Sequence, residues 1–351
     1  MWLTILVLAL HSAGALSVYT GGDTTGCGKS HASNATEAWS LMSSGRNRTY
    51  YVHVPEDYAA DDQYQTIVGF HGRGASGLYF EIDTGLSEAQ FTGETIMVYP
   101  DGVNRNWAGA SYSTLSIEED LQFVWDLLAK VRQDYCVDSA RIYATGHSNG
   151  GGLVNLIACN ATVGAEFAAF APVSGAFYEN TDDQGDCKPA RNSTPILEIH
   201  GGDDQIIAYD GGKGRGGELP SIPDWLDQWA KRDSCDDEQS EKIFNGAVEH
   251  VTWSCNGRES VVQHYKVNKG QHAWAATDPN LSQEEYDESP IPINASTIVP
   301  QFLKKFERPS IDDDLNESTD NDDEDLGSRY EISWTSGAVT LCAILLIAAW
   351  T

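Results

Sequence analysis

Short apolar runs alternate with longer amphipathic stretches through most of this chain. Runs rich in β-branched and aromatic residues predict strands over 49–54, 65–70, 94–99, 141–145, 167–173, 196–199, 248–253 and 261–267. Helices are predicted over 118–133, 150–159, 223–231 and 297–306. The prediction rests on the helical spacing of apolar residues or, at 150–159, on small residues at the start of a helix. This alternation predicts a single α/β domain, with a mostly parallel sheet covered by helices on both faces. Ligands of such sheets bind at the carboxyl ends of the strands.

The two ends of the chain differ from this globular body. Residues 1–16 combine an apolar run with small residues at a cleavage site, which predicts a secretory signal peptide; the alternative is a buried first strand or helix. The globular domain then covers 17–308, and an acidic, disordered stalk covers 309–336. The hydrophobic tail at 337–351 is short for a membrane span and predicts a GPI-attachment signal. A single-span or tail-anchored protein is the alternative.

Two further features favour export to the cell surface. The density of Asn-x-Ser/Thr sequons indicates a glycoprotein, with acceptors at Asn34, Asn47, Asn160, Asn192, Asn280, Asn294 and Asn316. Of seven cysteines, Cys342 lies in the tail, which leaves six for three disulfides in an oxidising compartment. We expect Cys235 to pair with Cys255, because the residues between them could fold as a local unit that brings its two ends together.

The formal net charge of −30 excludes some classes of partner. An acidic chain is a poor ligand for nucleic acid, so no nucleic-acid partner is expected. Part of the charge lies in 312–325, whose Asp, Glu, Asn and Ser residues are typical of a solvated segment. No cluster with metal-ligand spacing is visible, so neither a metal nor another cofactor is expected.

Gly146-His147-Ser148-Asn149-Gly150 matches the Gly-x-Ser-x-Gly pattern of a nucleophile elbow. A predicted strand enters this pentapeptide and a small-residue helix leaves it, which is the context that such a turn requires. The turn would lift the Ser148 hydroxyl into a cleft beside the N-terminus of a helix. The pattern therefore predicts a serine hydrolase.

A serine nucleophile needs a base, and the base needs a carboxylate to fix its tautomer. In this fold the chain order is serine, acid, histidine. Asp204 is the preferred acid because it follows a predicted buried strand, and Asp203 is the alternative. His272 is the preferred base because it lies in a loop after the last strands, whereas His250 and His264 lie within predicted strands.

The oxyanion hole is expected from the glycine-rich segment 70–77, which follows an early strand. We expect the backbone N–H groups of Arg73 and Asn149 to be the two donors. His71 precedes the serine, so we interpret it as a loop-positioning residue. Trp107 and Trp274 are candidates for contact with the substrate, since an aromatic side chain can stack on a sugar or phenolic ring.

Five segments together resemble the secreted feruloyl esterases of carbohydrate esterase family 1 and the related polyhydroxybutyrate depolymerases. They are Phe70-His71-Gly72, Tyr99-Pro100-Asp101-Gly102, the pentapeptide around Ser148 with Gly151, Ile199-His200-Gly201 with Asp204, and Gly270-Gln271-His272-Ala273-Trp274. The resemblance spans about Cys27 to Phe306. It implies an α/β-hydrolase without a cofactor that cleaves hydroxycinnamate esters of plant cell-wall polysaccharide. It also implies the triad Ser148, Asp204 and His272.

The sequence thus favours a secreted, GPI-anchored, monomeric serine ester hydrolase whose substrate is a feruloylated cell-wall polymer. Acetyl-xylan esterase and polyhydroxybutyrate depolymerase are alternative activities of the same chemistry. A non-catalytic binding protein of the cell surface on the same fold is the alternative of another class.

Overall fold

The computed structural model describes residues 24–179 and 187–308 of the chain. The predicted signal peptide, acidic stalk and hydrophobic tail lie outside these ranges, together with Asn316 and Cys342. Within the described ranges, none of the helices has the length and apolar character needed to cross a lipid bilayer.

The described residues form twelve strands, ten of them in one large sheet. The strands are β1 (Ala35–Ser43), β2 (Arg46–Val54), β3 (Tyr64–Phe70), β4 (Ile96–Pro100), β5 (Val137–His147), β6 (Ala169–Val173), β7 (Ile196–Gly201), β8 (Gly212–Lys213), β9 (Glu218–Leu219), β10 (Cys235–Ile243), β11 (Val248–Cys255) and β12 (Arg258–Val267). The order across the large sheet is β1-β2-β4-β3-β5-β6-β7-β12-β11-β10. Its six central strands, β4 to β12, run parallel, and an antiparallel pair extends each side.

Seven α-helices within residues 24–179 and 187–308 connect or cover these strands. They are α1 (Gly77–Thr84), α2 (Ala89–Thr92), α3 (Ile117–Asp134), α4 (Asn149–Ala158), α5 (Ile222–Arg232), α6 (Leu281–Glu285) and α7 (Ala295–Leu303). The sequence defines the start of α3 clearly, since Ser116 and Glu119 form a reciprocal capping box. Ser221 caps α5 by accepting the N–H of Asp224.

Side chains of alternate strand residues pack into two separate core layers, one on each face of the sheet. In β3, Val68 and Phe70 pack with the apolar faces of α3, α4 and α5. Ile67, the residue before Val68, packs on the opposite face with residues of α1 and α7. Both faces of the central strands are therefore covered, which explains their unbroken apolar runs. This is the architecture of an α/β-hydrolase, as the sequence predicts.

Three disulfides join cysteines of the described ranges: Cys27–Cys136, Cys159–Cys187 and Cys235–Cys255. The prediction of three disulfides is confirmed, and so is the Cys235–Cys255 pair, which links neighbouring strands β10 and β11. The glycine-rich segment 211–217 contributes β8 and the turn of a short hairpin with β9.

Candidate active site

Ser148 lies at the sharp turn between β5 and α4, with φ 55° and ψ −118°. Glycine neighbours make this strained backbone feasible because they allow main chains to approach very closely. A β-carbon on Gly150 would lie 2.1 Å from the Phe70 carbonyl oxygen, and one on Gly146 would lie 2.7 Å from the Gly150 carbonyl carbon. The pentapeptide therefore folds into an elbow because its glycines permit contacts that other residues would block.

His272 places its imidazole between Ser148 and a carboxylate. Its Nε2 lies 2.9 Å from Ser148 Oγ, and its Nδ1 lies 2.7 Å from Asp204 Oδ2. An ionised carboxylate can only accept, so Nδ1 carries the proton and Nε2 is left to accept the serine hydroxyl. All three residues are at most 9% exposed. The structure thus brings together the three side chains that the sequence selects from segments far apart in the chain.

Asp204 is held by four donors. Its Oδ1 accepts the backbone N–H groups of Ile206 and Ile207, each at 2.8 Å. Burial alone would raise the pKa of Asp204, but the hydrogen bonds of His200 and His272 outweigh it and hold this pKa below its usual range. The alternative acid, Asp203, is exposed and contacts neither ring in the described structure. Only Asp204 lies against His272.

A second imidazole, which the sequence analysis did not assign, lies behind Asp204. Nε2 of His200 is 2.8 Å from the Ile207 carbonyl oxygen and 3.4 Å from Asp204 Oδ2, while Nδ1 is 2.7 Å from Glu198 Oε1. Every one of these partners is an acceptor. His264 on β12 lies 2.8 Å from the other oxygen of Glu198.

The charge of this buried cluster follows from its contacts. Burial opposes a charged imidazolium, but attraction to Glu198 and the hydrogen bonds of Asp204 and Glu198 raise the pKa of His200 to about 10. His200 is therefore positive at neutral pH. The sequence signal for His200 is its position between two carboxylates: Glu198 lies two residues before it on β7, and Asp204 lies four residues after it in the following loop.

His147, inside the elbow, is a neutral ring rather than a second base. Its Nε2 lies 3.1 Å from the His272 carbonyl oxygen. Burial, together with repulsion from His272, lowers the pKa of His147 to about 3. Its ring therefore supports the loop that carries His272 without competing for the proton of Ser148.

The glycine-rich loop after β3 lies directly beside the elbow. A β-carbon on Gly72 would lie 3.5 Å from Ser148 Cβ, so Gly72 lies against the nucleophile. Arg73 is the next residue along this loop. The loop is positioned by His71, whose buried Nε2 accepts the Gly102 N–H at 3.0 Å. The Asn149 side chain is engaged by the Trp107 backbone, at 2.8 Å through Oδ1 and 3.2 Å through Nδ2. Arg73 and Asn149 thus flank Ser148 from two different segments.

The two tryptophans selected for substrate contact lie elsewhere than expected. Trp107 and Trp274 are both 0% exposed. The indole of Trp107 donates to the His71 carbonyl oxygen at 2.9 Å, and that of Trp274 donates to Ser296 Oγ at 2.8 Å. Neither ring has a face open to a substrate, so this expectation is wrong. Both tryptophans support the site from within the core.

A cleft of about 130 Å³ opens over Ser148 and His272. A larger cavity of about 510 Å³ lies between α4 and α5 and contains none of the three residues, so chemistry and not size identifies the site. Most of the side chains that form the walls of the cleft were not predicted from the sequence. They include Tyr79, Tyr112, Tyr178, Arg215, Glu285 and Tyr286.

Comparison with known proteins identifies the relatives of this chain. The probable feruloyl esterase C of Aspergillus niger is 32% identical over 215 residues, which cover 60% of this chain and 72% of the relative. Feruloyl esterase C of Emericella nidulans is 31% identical over 219 residues, which cover 59% of this chain and 72% of the relative. The chain belongs to the feruloyl esterase C family. It is a serine carboxylic ester hydrolase, and the resemblance stated from its motifs is confirmed.

Other comparisons add less to this family assignment. No protein-family model matches the chain. The solved structure of an acetyl xylan esterase from Aspergillus awamori aligns with a TM-score of 0.48 at 17% identity, over 72% of this chain and 98% of that chain.

Proposed function

We propose that this protein hydrolyses the ester bond between a hydroxycinnamate and plant cell-wall polysaccharide, with Ser148 as nucleophile. The observation that carries the proposal is the chain of contacts from Ser148 Oγ through both nitrogens of His272 to Asp204 Oδ2, at 2.9 and 2.7 Å. Membership of the feruloyl esterase C family supports the acyl group.

The reaction follows from the protonation states of these residues. Ser148 Oγ attacks the ester carbonyl carbon while its proton passes to Nε2 of His272. Asp204 remains ionised and stabilises the resulting imidazolium. The backbone N–H groups of Arg73 and Asn149 would donate to the oxyanion, which forms beside the N-terminus of α4.

The tetrahedral intermediate then collapses to the acyl-enzyme. The bond to the sugar oxygen breaks, that oxygen takes the proton from His272, and the hydroxycinnamoyl group stays on Ser148. Water then attacks this new ester while its proton passes to Nε2 of His272, which gives a second tetrahedral intermediate. Collapse of this intermediate breaks the bond to Ser148 Oγ, which takes the proton back from His272, so the free acid is released, the enzyme ends unchanged and one water has been consumed.

The test uses the full chain and its Ser148→Ala variant with methyl ferulate. We expect the variant to lose about 10⁶-fold in kcat while it keeps the thermal unfolding midpoint of the wild type. A serine-directed phosphonate should label the wild type and leave the variant unlabelled. Equal labelling of both proteins, or none of the wild type, would favour a non-catalytic binding protein on this fold.

Three substrates measured side by side separate the remaining activities. Methyl ferulate, acetylated xylan and a hydroxybutyrate polymer represent the feruloyl esterase, acetyl-xylan esterase and depolymerase hypotheses. We expect the highest kcat/KM with methyl ferulate. A preference of tenfold or more for either other substrate would change the assigned acyl group and leave the mechanism intact.

The cellular location is part of the proposal. Three disulfides among the described residues are typical of an oxidising, extracellular compartment. Exposed sequons at Asn34, Asn47 and Asn192 are suited to glycosylation. We infer removal of 1–16, a monomeric catalytic domain over 17–308, an acidic stalk over 309–336 and replacement of 337–351 by a GPI lipid. Release of the enzyme from intact cells by a phosphatidylinositol-specific phospholipase would test the anchor.

A further inference from the structure

The two walls of the cleft over Ser148 carry charges of opposite sign. The guanidinium groups of Arg73 and Arg215 lie near Tyr112 and Tyr178, and we call this part of the lining the positive wall. The carboxylates of Glu285 and Asp83 lie near Tyr79, and we call this part the negative wall. The positive wall is unexpected in a chain with 22 basic and 52 acidic residues. A positive site in this chain therefore calls for a specific explanation.

Aromatic side chains support the positive wall. The guanidinium carbon of Arg73 lies 5.0 Å from the ring centroid of Tyr112, within the range of a cation–π contact. Tyr112 in turn packs edge-on against Tyr178, with ring centroids 6.3 Å apart. Arg215 comes from the turn of the β8–β9 hairpin, which faces the same cleft. The two arginines thus converge from segments more than a hundred residues apart.

Among the residues that the structure describes, neither cation of this wall is paired with a carboxylate. Across the described ranges, 24–179 and 187–308, Arg73 and Arg215 form no ion pair with a carboxylate, and both are exposed. Other arginines do pair with carboxylates, namely Arg46, Arg48, Arg132, Arg141 and Arg308. The planar guanidinium group has the geometry to bind a carboxylate through two parallel hydrogen bonds.

The negative wall repels an anion. Glu285 accepts from the Tyr79 hydroxyl at 3.3 Å, and Asp83 accepts the Ser282 N–H at 2.7 Å. An anionic group in the cleft is therefore repelled on this side and attracted on the other. The charge pattern therefore favours an anionic group beside Arg73 and Arg215 over one beside Glu285 and Asp83.

We propose that Arg73 and Arg215 form a subsite for a carboxylate of the ester substrate, carried by an acidic sugar or by the acyl group. The inference rests on the proposed function and specifies its substrate class. It predicts that a substrate with a carboxylate near the scissile ester is cleaved faster than its neutral analogue.

The experiment uses two pairs of substrates, each differing only in one charge. The glycan pair is the ferulate ester of methyl galacturonoside and the same ester with the uronate converted to its amide. The acyl pair is methyl 4-carboxycinnamate and methyl 4-carbamoylcinnamate. The readout is the ratio of kcat/KM for the carboxylate over that for the amide, measured with the full chain at pH 7.

We expect a ratio of about fivefold for one of the two pairs with the wild type. Arg215→Gln and the double variant with Arg73→Gln should lower this ratio toward one. Each ratio is taken within one variant, so a change in the loop of Arg73 that affects both substrates cancels. Lys213→Gln, which removes the same charge from the same hairpin outside the cleft, should leave the ratio at its wild-type value.

The outcomes separate this inference from the proposed function. The pair that responds identifies the source of the carboxylate. A wild-type ratio of one for both pairs, or a raised ratio that Arg215→Gln and the double variant leave unchanged, overturns the inference while cleavage of the amides upholds the proposed function. If methyl ferulate and both amides remain uncleaved, the proposed function fails and the inference fails with it.

Discussion

The floor and the walls of the cleft are built in different ways. The floor consists of Ser148, Asp204 and His272, which are at most 9% exposed and bonded to one another. The walls include Arg73 and Arg215, which are exposed and come from loops and a short hairpin. The floor therefore has one well-determined geometry, whereas the walls can differ without disturbing it.

The difference separates two kinds of effect. A change in the floor alters groups that react, so it should lower kcat. A change in a wall alters how a substrate is held before reaction, so it should act mainly on KM or on the choice of substrate. The following predictions test where the boundary between the two regions lies.

The largest effect is expected from Asp204→Asn. An amide cannot hold His272 with its proton on Nδ1, so kcat for methyl ferulate should fall about 10⁴-fold, with KM within a factor of three. Steady-state kinetics on the purified variant would measure this.

The matched control for this variant is Asp203→Asn, one residue away and exposed. It should retain at least half of the wild-type kcat. Comparable losses in the two variants would mean that Asp203 shares the role assigned to Asp204, and the floor would then be less well defined than its hydrogen bonds indicate.

The floor could be predicted from the sequence because its determinants are local. The glycines around Ser148 specify the turn, and Asp204 and His272 each follow a strand. Parallel strands end at the same edge of the sheet, so residues after them meet. The choice between Asp203 and Asp204 needed the structure, because only the loop backbone at Ile206 and Ile207 decides which side chain turns inward.

The walls and the sheet edges were mostly missed, for physical reasons. Trp107 is of a residue type that often binds sugar or phenolic rings, but only its tertiary packing against His71 shows that it is buried. Arg215 lies in a glycine-rich segment without any apolar period. Strand β10 is almost wholly polar because it is an edge strand exposed on its surface, and its pairing with β11 determines its structure.

The next prediction concerns the cluster beneath the floor. The pKa of His200 is raised to about 10 from an ordinary value near 6.5, so its charge stabilises the folded state fully below about pH 6.5. This stabilisation is lost as the pH rises through about 10. We expect it to contribute a decrease of about 3 kcal/mol in the unfolding free energy between pH 7 and 10.

Urea unfolding of wild type and His200→Gln at these two pH values would measure this contribution. The decrease should be smaller in the variant by that amount, because glutamine does not titrate. His264→Gln is the control: it changes a neighbour of Glu198 but leaves the contact between His200 and Asp204 intact. Parallel pH dependences in wild type and His200→Gln would show that His200 is neutral when folded.

The smallest effect is expected at Tyr286, whose ring meets that of His272 edge-on with centroids 5.3 Å apart. It belongs to a wall but touches the floor, so it tests the boundary between them. Tyr286→Leu should raise KM for methyl ferulate about threefold, since the cleft loses an aromatic surface, and should leave kcat within a factor of two. Tyr286→Phe keeps the ring and should match the wild type. A tenfold loss of kcat at constant KM in the leucine variant would place Tyr286 in the floor, because the His272 ring would then depend on it for its catalytic orientation.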